Sequence, residues 1–163
     1  MKNILSILVV SVFLFGCSKS GDSPNDINDT SGSILGSWDL ITITDTETTS
    51  YLDPIYGTEE YQYTTGYVVE FPDEDGWSES WTFRYDDTYL RDQISPSGTI
   101  YTDTLNYEKI GDTLSVKGGD WTITTLNNSS LSFQRTGSVQ WSSNDTTFLS
   151  ELTEVYSFTK SIN

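Results

Sequence analysis

Histidine is absent from this 163-residue chain, and cysteine occurs once, as Cys17. A Ser-His-Asp triad and a Cys-His pair are therefore excluded, since each needs an imidazole to take the nucleophile's proton. Zinc sites built from Cys and His are excluded on the same ground. A lone thiol also has no partner for an internal disulfide. Carboxylates are what remains for chemistry. The densest groups, Asp73-Glu74-Asp75 and Asp86-Asp87, stand in turn sequences, and no spacing marks an acid pair as buried with a shifted pKa. Asp73-Glu74-Asp75-Gly76 imitates part of a calcium loop, but its first and twelfth ligand positions would be Phe71 and Thr82. The expectation is a non-enzyme with no metal and no cofactor.

Basic residues are scarce too. Eight Lys and Arg stand against 24 Asp and Glu, a net charge of −16. A surface of that sign repels phosphate backbones, so no nucleic-acid partner is expected. Long hydrophobic runs are also lacking. The N-terminal one, Ile4 to Phe15, is interrupted by Ser6 and Ser11 and covers about 12 residues, where about 20 are needed to span a bilayer.

A positive charge at Lys2, that short apolar stretch and the small Gly16 describe an export signal rather than a permanent span. Leu14-Phe15-Gly16-Cys17 resembles the lipobox of bacterial lipoproteins, with Phe15 unusual for its place. That resemblance implies cleavage before Cys17, fatty acids such as palmitate on the cysteine, and a membrane anchor. Two or three acyl chains, at about 0.8 kcal/mol per buried methylene, make such anchoring stable where one would be marginal. Ser18 after the cysteine implies, by the same resemblance, outer-membrane placement facing the periplasm or the cell surface. Loss of Lys2 with the signal leaves a net charge near −17. Ser18 to Ser33 is almost devoid of apolar residues and cannot offset its ordering entropy by burial. The expected organisation is a signal over 1–16, the lipidated cysteine and a flexible tether over 17–33, and one folded domain over 34–163.

The remaining sequence is dense in Thr, Tyr, Trp, Ile, Val and Phe, alternating over short runs between turn residues, and no window holds a 3.6-residue apolar stripe. Strands are expected over 36–44, 67–71, 77–85, 89–94, 100–110, 113–117, 121–126, 131–135 and 151–161, with a short piece at 139–141. Trp81, Phe83 and Tyr85 are expected on one face, as are Tyr101, Asp103, Leu105 and Tyr107. Asn127-Asn128-Ser129 reads as a hairpin turn. Sequential short strands without crossovers predict an all-β, antiparallel up-and-down barrel of about eight strands, with a sandwich as the alternative.

Four segments resemble the lipocalin-like domains of Bacteroidota lipoproteins. They are Ile34-Leu35-Gly36-Ser37-Trp38 as the opening Gly-x-Trp strand, 82–88 as the second hairpin, and 105–114 and 121–131 as the central hairpins. The hairpin at Asp86-Asp87 lacks the glycine common there. Lipocalins also carry an arginine near the last strand that covers the Gly-x-Trp tryptophan. Here Lys160 is the only nearby cation, and Lys lacks arginine's planar fork. The resemblance implies a cup-shaped barrel and no catalysis.

Two functional expectations follow. In the first, Trp81, Phe83, Tyr107, Trp121 and Phe133 line a cup for a small apolar or saccharide ligand. The competing reading is that they fill a closed core. In the second, the acidic segment 45–66, with Tyr51, Tyr56, Tyr61 and Tyr63, is a loop presented to an envelope protein or glycan. A merely tolerated insertion is the alternative there.

Overall fold

The computed structural model describes residues 32–52, 60–144 and 146–162. Cys17, Tyr56 and most of the tether lie outside them. The fold is all-β and antiparallel, as expected. In chain order the strands are β1 (Gly36–Leu52), β2 (Glu60–Glu70), β3 (Ser78–Phe83), β4 (Thr88–Ile94) and β5 (Ile100–Asn106). They continue as β6 (Glu108–Ile110), β7 (Thr113–Val116), β8 (Gly119–Leu126), β9 (Ser130–Ser143) and β10 (Thr146–Lys160). All ten belong to one sheet in the order β5-β4-β3-β1-β10-β9-β8-β7-β6, with β2 added on β1.

That order describes a nearly closed barrel consistent with a lipocalin-like meander. β5 and β6 are separated only by Tyr107 and act as one bent strand, pairing first with β4 and then with β7. Counted that way, and with β2 set aside, eight strands form the barrel. The turn at Asn127 forms as expected, its side-chain oxygen accepting from the main-chain N–H of Ser129 and Ser130 at 3.0 and 2.8 Å.

One end of the barrel is sealed. Trp38 is fully buried and donates its indole N–H to the Ile34 carbonyl at 2.6 Å. Lys160 lies 4.0 Å over the Trp38 ring and donates to the Leu35 carbonyl at 2.6 Å. The lysine thus covers the tryptophan although it lacks an arginine's fork. Leu114, Leu126 and Leu131 are buried in the same core, and Gly32 is tied to Leu126 by a main-chain bond of 2.8 Å. The chain therefore comes into the domain at the sealed end.

The strands depart from expectation at the other end. β1 continues past Thr44 to Leu52, the second strand begins at Glu60 rather than Tyr67, and 139–141 is part of the long β9. Thr and Ser are frequent in these extensions, and β-branched residues paired to a neighbouring strand hold the extended backbone without a run of apolar side chains. Residues 45–52 and 60–66 are accordingly paired strand, not loop. β3 also ends early. Tyr85, expected on the core face, stands outside the strand and is 90% exposed, because Arg84 and Thr88 close the turn by a main-chain bond. Tyr101 is exposed as well, while Leu105 and Tyr107 pack on the core.

Candidate functional site

The five residues expected to line a cup are brought together, but as a solid stack. Trp81, Phe83, Trp121 and Phe133 are buried. Trp81 meets Phe133 at 5.6 Å, Phe158 at 5.3 Å and Tyr89 at 5.0 Å between ring centres. Trp121 meets Phe133 edge-on at 5.3 Å. Tyr107 sits at the margin, edge-on to Phe83 at 5.0 Å, and donates its hydroxyl to the Arg84 carbonyl. Each large side chain buried in this way contributes about 1.5–3 kcal/mol to folding. Five clefts on the molecule are lined by other side chains and not by Trp81, Phe83, Trp121 or Phe133.

Above the stack, at the open end, the inward positions become polar. Glu79 is buried, and its carboxylate accepts from Trp81 Nε1 at 2.6 Å, from Arg91 Nε and Nη2 at 2.9 and 2.8 Å, and from Gln93 Nε2 at 3.0 Å. Burial pushes this carboxyl up, but the bonds from Arg91, Trp81 and Gln93 outweigh it and hold the group below its ordinary range. Beside it, burial and then the Glu154 and Glu79 charges raise the Tyr156 phenol to about 12. Arg135 pairs with Glu154 and covers the Trp121 ring at 4.6 Å. A cleft of about 420 Å³ opens here between Phe71, Trp77, Glu79, Arg91 and Gln93.

Beyond the mouth one side of the barrel keeps going. β2, β1, β10 and β9 run on side by side as a four-stranded wall. Directly opposed residues share a face, so the register sorts the side chains. The face continuous with the barrel interior carries Tyr67, Asp45, Glu154 and Arg135 in the row at the mouth, then Thr65, Glu47, Leu152 and Gly137. Next comes Tyr63, Thr49, Ser150 and Val139, and finally Tyr51, Phe148 and Trp141. Trp141 stacks on Phe148 at 5.2 Å, and Tyr51 meets Phe148 at 5.3 Å. Thr49 and Ser150 lie buried beneath, joined hydroxyl to hydroxyl at 2.7 Å. Tyr63, Tyr67, Val139, Trp141 and Leu152 are each at least 40% exposed. The opposite face carries mostly hydroxyl and amide side chains, among them Thr44, Thr46, Thr48, Gln62, Thr64, Thr136, Ser138 and Gln140.

Of the tyrosines expected in a loop, Tyr51 and Tyr63 stand on this interior-side face of the wall. Tyr61 pairs with Tyr51 in register, its side chain lying outside the described residues, as does Tyr56 altogether. Trp141, Phe148, Val139 and Leu152 were not anticipated. Their signal is the alternation Val139-x-Trp141, which matters only once β10 places Phe148 opposite Trp141. Among the described residues no group of three or more carboxylates is placed to hold a metal ion. Compared with known proteins, the chain matches no family model, no curated protein and no solved structure.

Proposed function

We propose that this protein is a lipid-anchored envelope lipoprotein of the lipocalin-like kind that acts as a non-catalytic interaction module. In this reading it presents the aromatic face of its wall to a protein or glycan partner. The observation that carries it is the contrast between the two aromatic sets. Those inside the barrel are consumed by packing, whereas on the wall Tyr63, Tyr67 and Trp141 are exposed, with Tyr51 and Phe148 half-buried beside Trp141. Exposed aromatic patches of this kind mark interaction surfaces, and Tyr and Trp offer flat apolar faces with a polar tip. Against the carrier reading stand the ring contacts of 5.0, 5.6 and 5.3 Å that Trp81 makes with Tyr89 and Phe133, and Trp121 with Phe133. Catalysis by paired carboxylates needs an acid whose pKa is raised, and the best-enclosed carboxyl, Glu79, is lowered and fully bonded instead.

The test is native mass spectrometry of the protein purified from its own host, alongside the double variant Trp141→Ala, Phe148→Ala. The expected result is a macromolecular partner on the wild type that the variant loses while keeping its melting temperature. A small molecule retained by both forms would return the function to the barrel.

A further inference from the structure

We infer that the free edge of β9 pairs with the same edge of a second copy, joining two walls into one eight-stranded sheet. Sheet edges in soluble proteins are normally guarded by charge, especially lysine, or by proline. Here the arrangement is inverted. The inner strands of the wall carry Asp45, Glu47, Glu151 and Glu154, whereas the outer strands present uncharged runs, 61–69 on β2 and 136–144 on β9. Past Gln134, β9 has left β8 and among the described residues is paired with β10 alone, and every residue from Thr136 to Ser143 is exposed. In a chain of net charge −16, an uncharged strand-long edge lets two copies approach without opposing carboxylates.

Backbone parity and side chains agree on a register. Lys160 N–H donates to the Ser129 carbonyl, so odd-numbered residues of β9 are the ones bonded to β10. The N–H and C=O groups of Thr136, Ser138, Gln140 and Ser142 therefore point outward. An antiparallel pairing centred on Val139 opposes 136 to 142 and 138 to 140, which satisfies all of these groups. The same register sets Val139 against Val139 and Trp141 against Gly137 of the other copy, in the closer, non-hydrogen-bonded pairs. An indole laid across a bare glycine is a favourable cross-strand pair in a sheet. The equivalent pairing of β2 with itself, centred on Thr65, would oppose Glu60 to Glu70 twice. β9 is thus the self-pairing edge, and the two aromatic faces it joins point the same way.

The test uses the full chain in detergent and does not depend on what the wall binds. Native mass spectrometry at concentrations on the order of 100 µM is expected to show a dimer. Gln140→Pro removes an outward N–H that the fold itself does not use, and should shift the protein to monomer with its melting temperature kept. Val139→Cys should give a disulfide-linked dimer on mild oxidation. Gln140→Cys and the β2 variant Thr65→Cys should not, because their Cα atoms would lie beyond the roughly 7 Å limit for bridging. A wild-type monomer at that concentration, a dimer unaffected by Gln140→Pro, or cross-linking through Thr65→Cys as strong as through Val139→Cys would each overturn the inference.

Discussion

At the scale of single residues, the sealed end explains why Gly, Trp and Lys occur together. Gly36 has φ +106°, and a Cβ there would come within 2.8 Å of Lys160 Nζ, the group that covers Trp38. Gly36→Ala should therefore destabilise the fold by about 1–3 kcal/mol through backbone strain alone, read as a lower denaturation midpoint with unchanged slope. Glu79 makes a second residue-scale case. Replacing it by Gln leaves Arg91 with half a partner. Because Arg91 is one-third exposed, the loss should be about 2–3 kcal/mol, just below the span for a fully buried pair. Its sign with pH is fixed by a folded pKa below 4.5. The contribution is complete above the unfolded value and is lost as pH falls through the lowered one. Glu79→Gln should thus cost stability at neutral pH and flatten the acid limb of a stability profile measured from pH 6 to 2.

At the scale of elements, the barrel strands were legible and the wall was not. Trp81 and Phe83, or Leu131 and Phe133, alternate with polar residues, and such alternation identifies a half-buried strand from local sequence. Asp45-Thr46-Glu47-Thr48-Thr49 shows no such pattern. These residues are strand because β2 and β10 flank them, and that pairing joins residues a hundred positions apart, such as Thr49 and Ser150. For the same reason the five supposed lining residues were correctly grouped but open to two readings, since alternation gives the face and not whether the space behind it is filled. The Thr49–Ser150 hydroxyl pair is the wall's own buried contact, and its role can be measured. Thr49→Val should cost about 1–2 kcal/mol by leaving the Ser150 hydroxyl unpaired. Adding Ser150→Ala should recover most of that loss, because the pair is then replaced by apolar groups. Equal and additive losses in the double-mutant cycle would show that the wall does not depend on this contact.

At the scale of the whole molecule, the two ends of the barrel have opposite duties. The chain comes in at the sealed end, where Gly32 bonds to Leu126, and the wall leaves from the other. β1 alone has 17 residues and so spans about 55 Å at 3.3 Å per residue. If acyl chains on Cys17 hold the protein, the tether must reach the sealed end first, and the wall's tip is then the part farthest from that attachment along the barrel. An acidic domain gains nothing from lying on anionic head groups, so charge and geometry favour the same outward placement. On the proposed lipid anchoring, Cys17→Ala would remove the acyl chains and nothing in the domain, so it should move the protein from the membrane fraction to the soluble one with its thermal unfolding unaltered. Full retention in the membrane fraction would mean that some surface of the domain, not lipid, does the holding. The acidic barrel and its exposed wall would then have to be reconsidered as a membrane-facing surface.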